Sequence, residues 1–396
     1  MKYCLINNLY PPYSIGGAER IVQLIAKGLK SKGEVVVITT GFDKDIQINT
    51  EEDIKVYRLN PKNIFPYTEL GGQSIFKKIL WHYFDLYNFK LAKKVEKILS
   101  DEKPDFVFTH NLKGFSYQLP KIISKLKIKH LHYLHDYQLI DPHGSLFRKG
   151  RRIEKLSIIL KIYKNVCKKL FSGINCVISP SRFALEKHQQ YGFFPSATKV
   201  VLPNPISFDQ DSGLSKKTIT EKIRLLYLGQ IEEQKGVRFL IESFNKYPKE
   251  NFELTLVGDG SLLNELKKNT TDPRIKFSGK VSQRHQLKNI FFNTDITIIP
   301  SLWWENSPTV VYESYSYGVP VLVSDSGGSK ELVKDNKTGY IFKSGDISDF
   351  TRYLDKISQN RQNLAELGVS GRQFIQEYQL ESYIRRLLDL CQNLKT

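Results

Sequence analysis

Glu305 and Glu313 stand eight positions apart, with Asn306-Ser307-Pro308-Thr309-Val310 between them and Trp303-Trp304 just ahead. A helix beginning near Pro308 or Thr309 carries Glu313 about one turn in, because proline is favoured at a first helical position. Glu305 then stays in the preceding loop, where its carboxylate can accept hydrogen bonds from sugar hydroxyls. The helix start between them offers unpaired amides to a phosphate. Trp303 and Trp304 could wall a sugar or a nucleobase; the plainer alternative is two capping acids and two core tryptophans. Upstream, Lys235-Gly236 precedes a second helix, so an ammonium and helix amides could face a diphosphate together. The alternative is a solvated lysine beside a capping glycine. Gly16 and Gly17 join a first strand to an amphipathic helix, where a bare backbone can approach a ligand closely or simply turn tightly. Neither a GxGxxG fingerprint nor a P-loop Lys-Ser/Thr is present in that junction, which counts against NAD and ATP chemistry. His135, at the end of an expected strand, reads by itself as a satisfied structural histidine.

The elements that must hold these residues follow from short apolar runs alternating with longer amphipathic stretches, the pattern of a parallel sheet covered by helices. Residues 3–6, 34–39, 55–59, 105–109, 130–134 and 175–178 read as strands, and 18–32, 76–99 and 155–170 as helices. The pattern then restarts with strands at 223–228, 253–257, 275–278, 296–299, 319–323 and 340–342. Helices are expected near 237–246, 262–268, 283–293 and 309–317, and a last amphipathic helix near 380–394 has no strand after it. The polar tract Ser207–Lys222 reads as an interdomain linker. The expectation is an α/β chain of two Rossmann-like domains, residues 1–205 with the C-terminal helix 378–396, and residues 206–377. In such open sheets ligands sit at the carboxyl ends of the strands.

Composition narrows the classes. With 396 residues, 40% apolar and 25% charged, the chain can fill two cores and is not a disordered segment. Cys4, Cys167, Cys176 and Cys391 are scattered without a CxxC pair, as expected of reduced, buried thiols rather than a disulfide frame or zinc site. No run of about 18 apolar residues is present, and the first strand begins at the N-terminus, so a cytoplasmic protein without a signal peptide is expected. Residues 1–200 hold 33 Lys/Arg against 17 Asp/Glu, whereas residues 201–396 hold 26 against 24. So uneven a charge implies an anionic partner for the first half, or a merely solubilising surface. The basic stretch from Arg148-Lys149-Gly150-Arg151-Arg152 to Lys168-Lys169, and the aromatic-rich 76–99, could each lie on an anionic membrane surface or pack as ordinary helices.

Taken together, the motifs resemble the family 4 retaining glycosyltransferases (glycosyl transferases group 1) of the GT-B fold. The resemblance runs through Gly16-Gly17-x-Glu19, His135-Asp136, Ser179-Pro180-Ser181, Pro203-Asn204-Pro205, Gly229…Lys235-Gly236, Val257-Gly258-Asp259-Gly260, and the Glu305-x7-Glu313 motif with Gly318-Val319-Pro320-Val321. It implies two Rossmann-like domains facing each other across a cleft, the first binding the acceptor and the second a UDP- or GDP-sugar, with the C-terminal helix returning to the first. It implies that Glu313 binds ribose hydroxyls, and that Glu305 and the backbone of Asn306, Ser307, Pro308, Thr309 and Val310 hold the transferred sugar and phosphates. Lys235 and Gly229 would serve the diphosphate, His135 the reactive face of the sugar, and Gly16 and Gly17 would close over the donor. No cofactor or metal is expected, the acceptor would be a lipid-linked or surface glycan near an anionic membrane, and nucleic acid would not bind. One departure is Gln230, where the family often carries arginine; a neutral amide cannot add a second positive charge at the diphosphate. The competing readings are a GT-B sugar-nucleotide epimerase, a catalytically silent sugar-nucleotide binder, and a nucleic-acid-binding protein.

Overall fold

Short runs such as Val35–Ile38 and Phe106–Phe108 are apolar on both faces, so they are stable only inside a sheet covered on both sides. The computed structural model describes all residues except 14, 15, 44, 208–220, 282, 283 and 396, and the chain forms two units. Unit 1 is Met1–Gly144, Lys155–Ser207 and Tyr378–Thr396; unit 2 is Ser145–Glu154 and Phe208–Glu377. Most of the expected linker, 208–220, lies outside the described residues, as does Gln283 at the head of one expected helix.

Unit 1 contains strands β1 Lys2–Ile6, β2 Glu34–Thr40, β3 Gln47–Glu51, β4 Ile54–Leu59, β5 Phe106–Thr109 and β6 Lys129–Tyr133. After a two-stranded hairpin of β7 Phe147–Arg148 and β8 Arg151–Arg152, which belongs to unit 2, it adds β9 Cys176–Ser179 and β10 Thr198–Val201. The sheet order is β10-β9-β6-β5-β1-β2-β4-β3, parallel throughout except for β3 against β4. Its helices are α1 Gly17–Lys30, α2 Ile75–Leu86, α3 Phe89–Glu102, α4 Leu119–Lys125, α5 Ile158–Leu170 and α6 Arg182–Gln190. The helix expected over 76–99 is two helices. Asn88 interrupts it, its side chain accepting from the Leu91 amide at 3.1 Å to cap α3 while donating to the Pro61 carbonyl at 2.8 Å.

Unit 2 contains β11 Ile223–Leu228, α7 Val237–Asn245, β12 Phe252–Val257, α8 Leu263–Asn269, β13 Ile275–Gly279, α9 Arg284–Phe292 and β14 Ile296–Ile299. It continues with α10 Thr309–Ser316, β15 Val321–Ser324, β16 Gly339–Phe342, α11 Ile347–Gln359 and α12 Asn363–Phe374. Its all-parallel sheet runs β13-β12-β11-β14-β15-β16. The last helix, α13 Leu380–Lys395, belongs to unit 1, where Tyr383, Ile384, Leu387 and Cys391 join the core built by β1, β2 and α1. All four cysteines are buried and unbridged. Among the described residues no helix is long and apolar enough to cross a membrane.

Candidate active site

In unit 2 the strand order reverses between β11 and β14, and in an open parallel sheet such a reversal opens a crevice at the carboxyl ends. β11 feeds the loop Gly229–Gly236 and β14 feeds the loop Pro300–Pro308. Lys235 closes a single 3-10 turn, and Gly236 follows at φ 73°. A Cβ on Gly236 would stand 1.9 Å from the Pro300 carbonyl oxygen, so only glycine lets the two loops touch there. The Leu302 and Trp303 amides then donate to the Gln234 carbonyl at 2.9 and 3.2 Å, which fixes one loop against the other.

This contact brings two of the sequence-predicted residues together. Glu305 is buried, at 4% exposure, and its Oε1 accepts from Lys235 Nζ at 2.8 Å and from Ser301 Oγ at 2.6 Å. Lys235 Nζ also lies 4.7 Å from the centre of the Trp303 ring, a cation–π contact. The backbone of Glu305 is held as firmly, since the Gly328 amide donates to its carbonyl at 2.7 Å. Gly327, at φ 66°, has no room for a Cβ, which would meet the Glu305 carbonyl oxygen at 2.2 Å. Asn306 is buried, Pro308 is the cap of α10 rather than its first residue, and Ser307 Oγ pairs with Tyr312 Oη at 2.8 Å. Thr309 and Val310 open the helix, and Glu313 sits half-buried one turn in. Gly229 donates its amide to the Val257 carbonyl at 3.0 Å, and Gln230 is exposed.

One residue of this site comes from the hairpin, and no sequence motif points to it. Lys149 and Gly150, both at positive φ, turn β7 into β8, the two-residue geometry that matches strand twist. The hairpin delivers Arg152, whose Nε donates to the Leu302 carbonyl at 2.7 Å. Its Nη2 donates to Ser326 Oγ at 2.8 Å and Ser344 Oγ at 2.9 Å, and the guanidinium lies 5.9 Å from the Trp304 ring centre. Ser326 Oγ in turn donates to the Trp303 carbonyl, and Ser324 and Ser344 hydroxyls donate to that of Ser301. Three successive carbonyls ahead of Trp304 and Glu305 are thereby pinned. Of the basic stretch from Arg148 to Lys169, Arg152 is spent on the loop of unit 2. Its partners lie 150 or more residues away in sequence, so local pattern carries no trace of them.

Unit 1 places His135 two residues beyond β6. Its Nε2 pairs with His110 Nδ1 at 2.9 Å, and the His110 ring stacks on Tyr133 at 4.4 Å. Burial lowers the His135 pKa to about 4, so the ring is neutral near pH 7. Asp136 accepts from the Gln138 amide at 2.7 Å, and burial raises its pKa to about 6. Gly17 opens α1 and the Gly16 amide donates to the buried carboxylate of Glu19 at 3.0 Å, so this glycine loop is closed by its own helix. The order of the unit 1 sheet turns at β1 and β5. There the Asn8 amide donates to the Asn111 carbonyl at 2.8 Å, and the Asn111 amide to Asn7 Oδ1 at 2.9 Å. Paired polar residues directly after two apolar strands were the available signal for Asn7, Asn8, His110 and Asn111. Among the described residues no cluster of three or more His, Cys, Asp or Glu side chains is arranged to hold a metal.

Known proteins share both halves of this design. The family model described as Glycosyltransferase Family 4 matches residues 15–210, and that of Glycosyl transferases group 1 matches residues 210–374. A 42.6 kDa protein in the cps region of Klebsiella pneumoniae is 28% identical over 96% of this chain and 100% of its own length. The UDP-Gal:alpha-D-GlcNAc-diphosphoundecaprenol alpha-1,3-galactosyltransferase of Escherichia coli is 26% identical over 67% of this chain and 69% of its own. The sucrose-phosphate synthase of Thermosynechococcus elongatus has the same fold, with TM-score 0.76 and 17% identity, covering 100% of this chain and 99% of that one.

Proposed function

This chain belongs to the glycosyltransferases of family 4 and group 1 and is a transferase of the GT-B fold, and from that premise we propose that it moves a hexose-type sugar, with retention, from a UDP- or GDP-sugar to a lipid-linked or surface-polysaccharide glycan. The observation that carries the reading is the Lys235–Glu305 pair, 2.8 Å apart, at the strand reversal of unit 2 and directly ahead of α10. When the bond from sugar to diphosphate breaks, negative charge gathers on the departing phosphates. A lysine already oriented by Glu305 and Trp303, together with the amides at the start of α10, stabilises that charge without reorganising. Glu305 keeps lone pairs for sugar hydroxyls, the backbone of Asn306–Val310 contacts sugar and phosphates, and Glu313 receives the ribose hydroxyls. Gly229 lets the backbone approach the diphosphate. Gln230 leaves Lys235 to act with helix amides rather than with a second cation. In unit 1, neutral His135 serves as a hydrogen-bonding group to the sugar rather than as a cation, and Gly16 and Gly17 line the approach to the donor. No metal or cofactor enters this reading.

Two relatives motivate the finer substrate assignment: one is in a cps region, and the other acts, by its name, on UDP-Gal and a diphosphoundecaprenol-linked sugar. A lipid-linked acceptor places the enzyme in the cytoplasm at the inner face of a membrane. The test is a thermal-shift screen of UDP- and GDP-sugars, followed by product analysis by NMR with the donor that binds. A specific donor at a hundred times its Kd stabilises the fold by about 2.7 kcal/mol. Glu313→Ala is expected to lose that shift and transfer together. Release of nucleoside diphosphate in step with a new α-linkage supports the reading; an epimerised donor with no diphosphate released would overturn it.

A further inference from the structure

Two helices of unit 1 leave an apolar face uncovered. On α2, Phe76, Ile79 and Tyr83 share one side at helical spacing and point to solvent, Phe76 at 77% exposure. On α5, Ile158, Ile159 and Ile162 do the same, at 76%, 74% and 61%. Their opposite faces are firmly seated, with Trp81 and Asp85 of α2 and Tyr163 and Cys167 of α5 buried. Both helices rest on Tyr117. Its amide donates to the Asp85 carbonyl at 3.3 Å, and its hydroxyl lies 3.4 Å from that of Tyr163. The two helices therefore share one supporting residue, and apolar residues grouped on an exposed face mark an interaction site.

Charge says what covers them. α2 carries Lys77 and Lys78 and no acid but the buried Asp85; α5 carries Lys161, Lys164, Lys168 and Lys169 and no acid at all. A second copy of this chain docking through a twofold axis would set lysine against lysine. An anionic bilayer meets both needs: its headgroups attract the lysines while the apolar side chains enter the acyl boundary. Neither helix is long and apolar enough to cross, so each would lie in the plane of the surface. We propose that the exposed faces of α2 and α5 form one docking surface by which this chain binds an anionic lipid bilayer. The proposal deepens the lipid-linked-acceptor reading by assigning the side of unit 1 that meets the membrane.

The experiment is flotation of the purified full chain with vesicles, in one arm phosphatidylcholine alone and in the other phosphatidylcholine with about a third phosphatidylglycerol. The expected result is recovery with the anionic vesicles at least about tenfold above the neutral ones, falling steeply at high salt. The triple variant Ile158→Ser/Ile159→Ser/Ile162→Ser is expected to lose about tenfold of that binding, with an unchanged circular dichroism spectrum and Tm, because these side chains leave no cavity. Lys161→Gln/Lys169→Gln is expected to weaken binding to anionic vesicles and leave the little binding to neutral ones unaltered. Equal flotation in the two arms, or a triple variant that floats as well as the parent, overturns the proposal. So does a parent dimer in light scattering that the triple variant splits while neither binds vesicles. Since no sugar substrate enters these measurements, their failure leaves the transfer reading standing, and inactive protein that floats normally would do the reverse.

Discussion

A carboxylate at 4% exposure is tolerable only while its charge is answered, and Glu305 is answered by one ammonium and one hydroxyl. This gives Lys235 a structural role of its own. Lys235→Ala is therefore expected to destabilise unit 2 by roughly 3–5 kcal/mol, the range for stripping one partner from a buried pair. The double variant Lys235→Ala/Glu305→Gln is expected to recover most of that loss, because no buried charge is left alone, and to remain inactive. Urea denaturation of the parent, both single variants and the double variant gives the coupling energy. Additive effects would mean the pair does not hold the site. At this scale the sequence was half legible: Lys235 and Glu305 were each named from loop type and helix position. Their joining was not, because 70 residues separate them and no local pattern reports a contact across a sheet.

Elements explain which parts of the fold were readable. β11 and β14 match expectation residue for residue, since an apolar run bounded by turns has one stable place in a parallel sheet. β3, Gln47–Glu51, escaped because it is polar and exposed, an edge strand held antiparallel by β4 rather than by a buried face. The break at Asn88 escaped because hydrophobic periodicity continues across it while the cap that ends it depends on Pro61. The β7–β8 hairpin is the larger gap, a short basic segment that belongs to unit 2 although the residues on both sides of it in sequence belong to unit 1. Its consequence is testable. Arg152→Ala removes one hydrogen bond to the loop bearing Trp303, Trp304 and Glu305 and two to Ser326 and Ser344, the serines that brace it, at a loss of about 1–3 kcal/mol of loop order. The expectation is a raised KM for the donor and a lowered kcat with the global Tm nearly kept. Arg152→Lys should fall between, since an ammonium cannot reproduce a planar fork. Kinetics identical to the parent's would show that the loop holds itself.

At the scale of the whole molecule, unit 1 holds a set of buried histidines and acids. Burial lowers the pKa of His82 and His130 to about 3 and of His135 and His188 to about 4, and raises Asp85 to about 7 and Asp136 to about 6. The two sets act in opposite directions. A histidine that resists protonation when folded contributes stability that is present above about 6.5 and lost as pH falls toward 4. A carboxyl that keeps its proton when folded contributes stability that is present below about 4 and lost as pH rises through its folded pKa. With His110 and His132, which burial also holds well below the ordinary value, six histidines outweigh two acids, so unit 1 is expected to gain stability from pH 4 to 6.5, after which Asp85 alone still pulls the other way. Asp85 can be isolated, because the Gly114 amide, 3.0 Å from either carboxyl oxygen, needs only an acceptor from it. Asp85→Asn retains one acceptor there and can never ionise. Its stability relative to the parent is expected to change little near pH 4. It should then rise by up to about 1.4 kcal/mol per pH step to near pH 7 and level off above that. Melting curves of both proteins from pH 4 to 8 measure the difference. A gap that does not depend on pH would mean that Asp85 is ionised throughout, and that the junction of α2 with Gly114 is built around a buried anion rather than a protonated acid.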